Sequence, residues 1–218
     1  MDASTPDRDK APRDWIAEAR PEPAPPDLGP DLKALVQIAV PHCLLPHPDV
    51  VAAVGGAIFP VIRGAKSDRF SVQEIDGRRL MVDDNTSPRW ALLWSHGYRM
   101  THPAKGWTIA HVWTRARDPD SYTHLANILM MPEPLASLSD KQGPLGPYLR
   151  FHAFDAYGWS PAGEDAPGRP DGYEMISWTY FEPHSDPWSF IRQQMSRLNN
   201  DRVRALAPLM GLGPGDAM

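Results

Sequence analysis

Residues 107–141 read WTIAHVWTRARDPDSYTHLANILMMPEPLASLSDK, and their order decides what fold to expect around them. An apolar run from Trp107 closes on His111, and a polar segment rich in Arg, Asp and Pro follows. A second apolar run, Leu125-Ala126-Asn127-Ile128-Leu129, carries Asn127 sixteen residues after His111. Short apolar runs bounded by turn residues predict two strands joined by a loop. PEPLASLSD then predicts a short helix with Asp140 at its end.

Upstream, FSVQEIDGRRLMV (70–82) alternates on either side of Asp76-Gly77, the pair that suits a two-residue type I′ hairpin turn. SPRWALLWSHGY predicts a short helix with Ser87 as N-cap and Pro88 at its first position, stopped at Gly97. DLKALVQIAV has helical spacing, with Asp31 as N-cap and Pro41 beyond its end. DVVAAVGGAIFPVI contains Gly55 and Gly56 and reads equally as an interrupted helix or a buried strand. Downstream, PLGPYLRFHAFDAYGW places Leu145, Leu149 and Ala156, with His152 or Ala153, on one helical face, and Gly158 is a C-terminal stop. EMISWTYF reads as a strand; PWSFIRQQMSRL and NNDRVRALAPLM read as two helices. The expected class is α+β: a small β-hairpin plus a strand-strand-helix finger surrounded by helices.

Seven of the 25 prolines fall within residues 1–30, a segment with few large apolar side chains, which we read as a flexible Pro-rich leader. Residues 31–210 are then one domain containing the finger at 107–141, and 211–218 a flexible tail. The acidic, Pro-rich beginning does not resemble a signal peptide. The longest nearly apolar stretch, 50–62, falls short of the roughly 20 residues that span a bilayer. A cytoplasmic location without membrane contact is the expectation. The single Cys43 excludes an intrachain disulfide and a cysteine-based zinc finger, so His, Asp, Glu and Asn must hold any metal.

The net charge of −5 argues against a protein that simply coats nucleic acid, but the charge is unevenly spread. Residues 61–117 carry 10 basic and 5 acidic side chains, and this basic segment runs into His111. An anionic phosphodiester would be drawn to such a segment; an ordinary solvated surface has the same composition. P-loop, dinucleotide-binding, HExxH and G-x-S-x-G motifs are absent. Ser95-His96 and His42-Cys43 read as structural neighbours rather than nucleophile-base pairs.

The order strand-His111, loop, strand-Asn127, helix-Asp140 resembles the ββα-metal finger of HNH-type endonucleases over about 35 residues. The resemblance implies metal-dependent hydrolysis of nucleic acid, with DNA as the partner class it points to first. In its terms His111 is the general base, Asn127 orients it, and Asp140 with His124 are the metal ligands; Asp118 or Asp120 could stand in. Oxygen ligands with one imidazole favour Mg²⁺ or Mn²⁺ over Zn²⁺. Arg89, Arg99, Lys105, Arg115 and Arg117 would contact phosphates, and Trp113 could stack on a base. The sequence departs from the family at Ala110, where an Asp, Glu or His ligand is usual, and at Ala136, one turn before Asp140. A non-catalytic nucleic-acid or protein-binding module that keeps the finger as scaffold is the alternative, and an interaction protein with a coincidental strand-strand-helix is a third.

Overall fold

A computed structural model describes residues 29–140 and 143–213. Residues 1–28 of the expected leader and the last five residues of the expected tail lie outside the described residues, while Gly29 and Pro30 cap and open the first helix. The class is α+β, with a four-stranded and a three-stranded sheet.

The chain enters through α1 (Pro30–Ala39), a 3-10 turn at Val40–His42, and β1 (Leu44–Leu45). Asp31 lies in the first turn of α1 and Gly29 holds the N-cap position, so the expected Asp31 cap is displaced by two residues. Helix α2 (Pro48–Val54) resolves the ambiguous 49–62 segment into both readings in turn. Gly55, at φ 72°, ends the helix in the left-handed region, and the chain continues to β2 (Val61–Arg63). β3 (Val72–Ile75) and β4 (Arg78–Asp83) form the expected hairpin, with Asp76 and Gly77 both at positive φ as a type I′ turn requires. β2 adds in parallel to β4, giving the order β2-β4-β3. Helix α3 (Thr86–Ser95) begins one residue before Ser87, which lies inside it, with Asn85 at the N-cap.

β5 (Trp107–His111) and β6 (Ile128–Pro132) pair antiparallel, His111 opposite Ile128. The second sheet has the order β5-β6-β1-β7, where β7 is only Thr179–Tyr180; most of the expected EMISWTYF strand is a 3-10 turn and loop. Helix α4 (Gly146–Tyr157) follows the finger, and α5 (Pro187–Arg197) and α6 (Asp201–Leu206) close the fold. Among the described residues no helix is long and apolar enough to cross a membrane.

β6 sorts the core. Successive strand side chains point to opposite faces, and the continuous apolar run at 128–131 accordingly feeds two hydrophobic clusters. Ile128 and Met130 enter one, with Val50, Trp94, Ile191 and Leu206 from α2, α3, α5 and α6. Leu129 and Met131 enter the other, with Val36 and Leu149 from α1 and α4.

The small sheet is tied to the C-terminal helices by ions. Arg202 of α6 donates from Nε to both oxygens of the buried Asp83 at 3.0 and 3.1 Å, and from Nη2 to Asp84 at 3.1 Å. Its guanidinium also lies over the rings of Phe70 (4.9 Å) and Trp90 (5.1 Å). Asp83 further accepts from the backbone N–H and the hydroxyl of Ser87. Because removing one partner leaves a buried charge uncompensated, Asp83→Ala is expected to lower the unfolding free energy by about 3–5 kcal/mol. Urea denaturation measures it, and a loss below about 1 kcal/mol would mean that Arg202 finds solvent or another partner.

Candidate functional site

The loop between β5 and β6, residues 112–127, is pinned at several points, and Asn127 makes the central attachment. Asn127 lies in a 3-10 turn, Leu125–Asn127, immediately before β6 rather than within the strand. Fully buried, its side chain accepts from the Trp113 backbone N–H at 2.7 Å and donates to the Ser121 carbonyl at 2.9 Å, clamping both arms of the loop. Thr123 exchanges hydrogen bonds with Phe59, accepting from its N–H (3.0 Å) and donating to its carbonyl (3.1 Å). The Tyr122 hydroxyl donates to the Asp84 carbonyl at 2.7 Å.

His111 closes β5 against this loop. Its Nε2 lies 3.1 Å from the Tyr122 carbonyl, and since a carbonyl only accepts, Nε2 carries the proton and Nδ1 the lone pair. The imidazole is parallel to the Tyr122 ring, 7° between planes and 5.4 Å between centroids. Burial lowers the His111 pKa, and the cationic Arg63 nearby lowers it further, against the opposing hydrogen bond to Tyr122. At neutral pH the ring is therefore an uncharged base with a defined tautomer.

Asn127 and His111 are connected through one peptide: Asn127 holds Ser121, and the adjacent Tyr122 carbonyl holds His111. The orienting role expected for Asn127 is thus indirect. Arg63 was not among the sequence-selected phosphate contacts. The signal was available only as its membership of the basic segment, because its nearness to His111 depends on its backbone N–H reaching the Ala116 carbonyl at 2.8 Å.

The other selected residues are dispersed. His124 caps the Leu125–Asn127 turn by accepting from the Ala126 N–H through Nδ1 (3.1 Å), and its ring stacks on Trp159 at 4.4 Å. Burial depresses its pKa to about 4. The predicted helix after β6 is a 3-10 helix, Glu133–Ser139, and the exposed Asp140 follows it. Asp118 is engaged by the Asp120 N–H and the Ser121 hydroxyl, and Asp120 pairs with Arg78. Among the described residues no group of three His, Cys, Asp or Glu side chains is placed to hold a metal ion. Arg115 is paired with Glu164, whereas Arg117 is exposed. Lys105 and Arg99 precede β5, at whose far end His111 lies. Trp113 is buried against Trp159, which corrects its expected availability to a base. Cys43 is buried, its thiol pushed up to about 12 by burial, and His96 is held between the Leu92 carbonyl and the His47 N–H, both consistent with structural roles.

No protein-family model, no curated protein and no solved structure matches the chain.

Two expectations follow from this geometry. Asn127→Ala orphans a buried N–H and a buried carbonyl and is expected to destabilise the protein by about 2–4 kcal/mol, read by urea denaturation; an unchanged midpoint would mean the loop is held by its other bonds alone. Burial depresses His96, His124 and His152 from 6.5 to about 4 and also lowers His111. Between those values the unfolded chain binds more protons than the folded one. Stability from these groups is complete above about pH 6.5 and is lost as pH falls toward 4; thermal melts across that window measure the slope, and a flat profile would contradict neutral burial.

Proposed function

We propose that the protein is an atypical HNH-like endonuclease that hydrolyses phosphodiester bonds in nucleic acid, DNA first, in the cytoplasm. The observation that carries this reading is the His111 imidazole, fixed by the Tyr122 carbonyl with Nδ1 left as the basic atom, on a loop that Asn127 clamps. His111 takes a proton from water through Nδ1 as the water attacks phosphorus. Arg63, whose charge acts on His111, and the exposed Arg117 meet the phosphate charge. Asn127 is a positioning residue that acts through Ser121 and Tyr122.

The resemblance implies a divalent cation, Mg²⁺ or Mn²⁺, with His124 and Asp140 as ligands. The described residues supply no three-ligand shell, and His124 is committed to its cap and its stack on Trp159. No step here runs through the ion. The same observation favours a second reading, a non-catalytic nucleic-acid-binding module on the same scaffold.

The test is cleavage of supercoiled plasmid and single-stranded DNA by wild type and His111→Ala, each in EDTA, Mg²⁺ and Mn²⁺, with folding checked by circular dichroism. Cutting by the wild type that falls about 100-fold or more in a folded His111→Ala variant is expected for loss of a general base. A metal requirement would support the cation. No cutting in either metal, or cutting that survives His111→Ala, would overturn the catalytic reading.

A further inference from the structure

Beside the finger loop runs an open groove of about 660 Å³, bounded by Phe59 and Pro60 on one wall and Trp188, Arg192 and Met210 on the other, with Arg78 and Asp120 at its edge. A neighbouring depression shares Arg192 and Met210 and extends the groove along α5 toward Ser196. The lining joins a half-buried indole and apolar side chains to cationic heads. Arg192 is exposed and has no ion-pair partner among the described residues, while the carboxylate of Asp120 is taken up at 2.8 Å by Arg78. Excess positive charge therefore sits beside an aromatic wall.

Pro60, which lines the groove, directly precedes β2, and Arg63 ends that strand, three residues or roughly 10 Å further on. Arg63 is the cation whose charge acts on His111. A nucleic acid strand advancing 3.4 Å per nucleotide would cover that distance in about three nucleotides.

We infer that this groove binds a nucleotide of single-stranded nucleic acid about three nucleotides from the one at His111, with its base against Trp188 and Met210 and its phosphate on Arg192. The inference rests on the nucleic-acid reading above, in its catalytic or its binding-only form. An indole face accepts any base, and one free guanidinium accepts one phosphate, so the groove gives strand binding with little sequence preference. A rigid duplex could not lay an unpaired base against the indole, so single strands are favoured.

The experiment is fluorescence anisotropy of a labelled 12-nucleotide oligo-dT and of a duplex of equal length, in EDTA at low salt, with full-length protein. Arg192→Gln should weaken oligo-dT binding several-fold and reduce the salt slope by about 1. Trp188→Leu should weaken it roughly tenfold, while exposed Arg79→Gln, outside the groove, leaves it unchanged. Arg192→Gln removes only an exposed head group and keeps the test valid where Trp188→Leu fails to fold. No binding by the wild type, equal effects of Arg192→Gln and Arg79→Gln, or tighter binding of the duplex would overturn the inference. Hydrolysis of bis(p-nitrophenyl) phosphate separates the two proposals, because that diester is too small to need the groove. Hydrolysis dependent on His111 together with oligo-dT binding indifferent to Arg192 and Trp188 removes the groove and keeps the catalyst. Groove-dependent binding without hydrolysis does the reverse.

Discussion

Everything in this fold is arranged around a strand that must be covered on both faces. Ile128, Leu129, Met130 and Met131 are four consecutive apolar residues, and strand geometry sends them alternately to opposite sides. A one-sided sheet would leave two of them in water, at roughly 1.5–3 kcal/mol for each large side chain exposed. The chain meets this constraint by placing α1 and α4 on one face and α2, α3, α5 and α6 on the other. β6 is consequently buried on both faces, and it anchors what is attached to its ends.

The finger loop is attached to that fixed strand through Asn127. A primary amide is suited to the position because it offers one acceptor and two donors at once, and the loop presents an N–H on one arm and a carbonyl on the other. Neither Asp nor Leu of similar size provides both. Clamping the loop also sets the Tyr122 carbonyl, and that carbonyl sets the tautomer of His111. The imidazole is thus defined by backbone chemistry, with no carboxylate behind it. Its basicity is governed chiefly by burial, which lowers it against the opposing hydrogen bond to Tyr122, with a smaller lowering from Arg63.

What could be read in the sequence was whatever depended on neighbours in the chain. The hairpin was legible because Asp76-Gly77 dictates its own turn, and the β5–β6 pair because two apolar runs flank a polar segment. Gly55 marked a break, and only the tertiary structure showed that a helix lies before it and a strand after. The helix expected after β6 became 3-10, since PEPLASLSD places two prolines at its start and offers few residues for i to i−4 bonding. The candidate site was legible in part: His111 and Asn127 flank one loop, but their link through Ser121 and Tyr122 has no local sequence signature. The pairing of Asp83 with Arg202, 119 residues apart, and the approach of Arg63 to His111 are products of the fold alone.

Charge explains why a base with a depressed pKa suits the proposed reaction better than one near its ordinary value. Burial, and to a smaller extent Arg63, works against protonation of His111, so the free protein keeps the ring neutral. An arriving phosphodiester brings a negative charge to the same place and offsets the cation, which raises the affinity of Nδ1 for a proton when one is to be accepted. The effect is strongest in a half-buried setting, where charges are less screened than in water. A base tuned near neutrality in the free protein would spend much of its time protonated once the anion had bound. On the proposed reading an anionic ligand offsets the depression of His111 by burial and Arg63, whereas a neutral ligand would leave it in place.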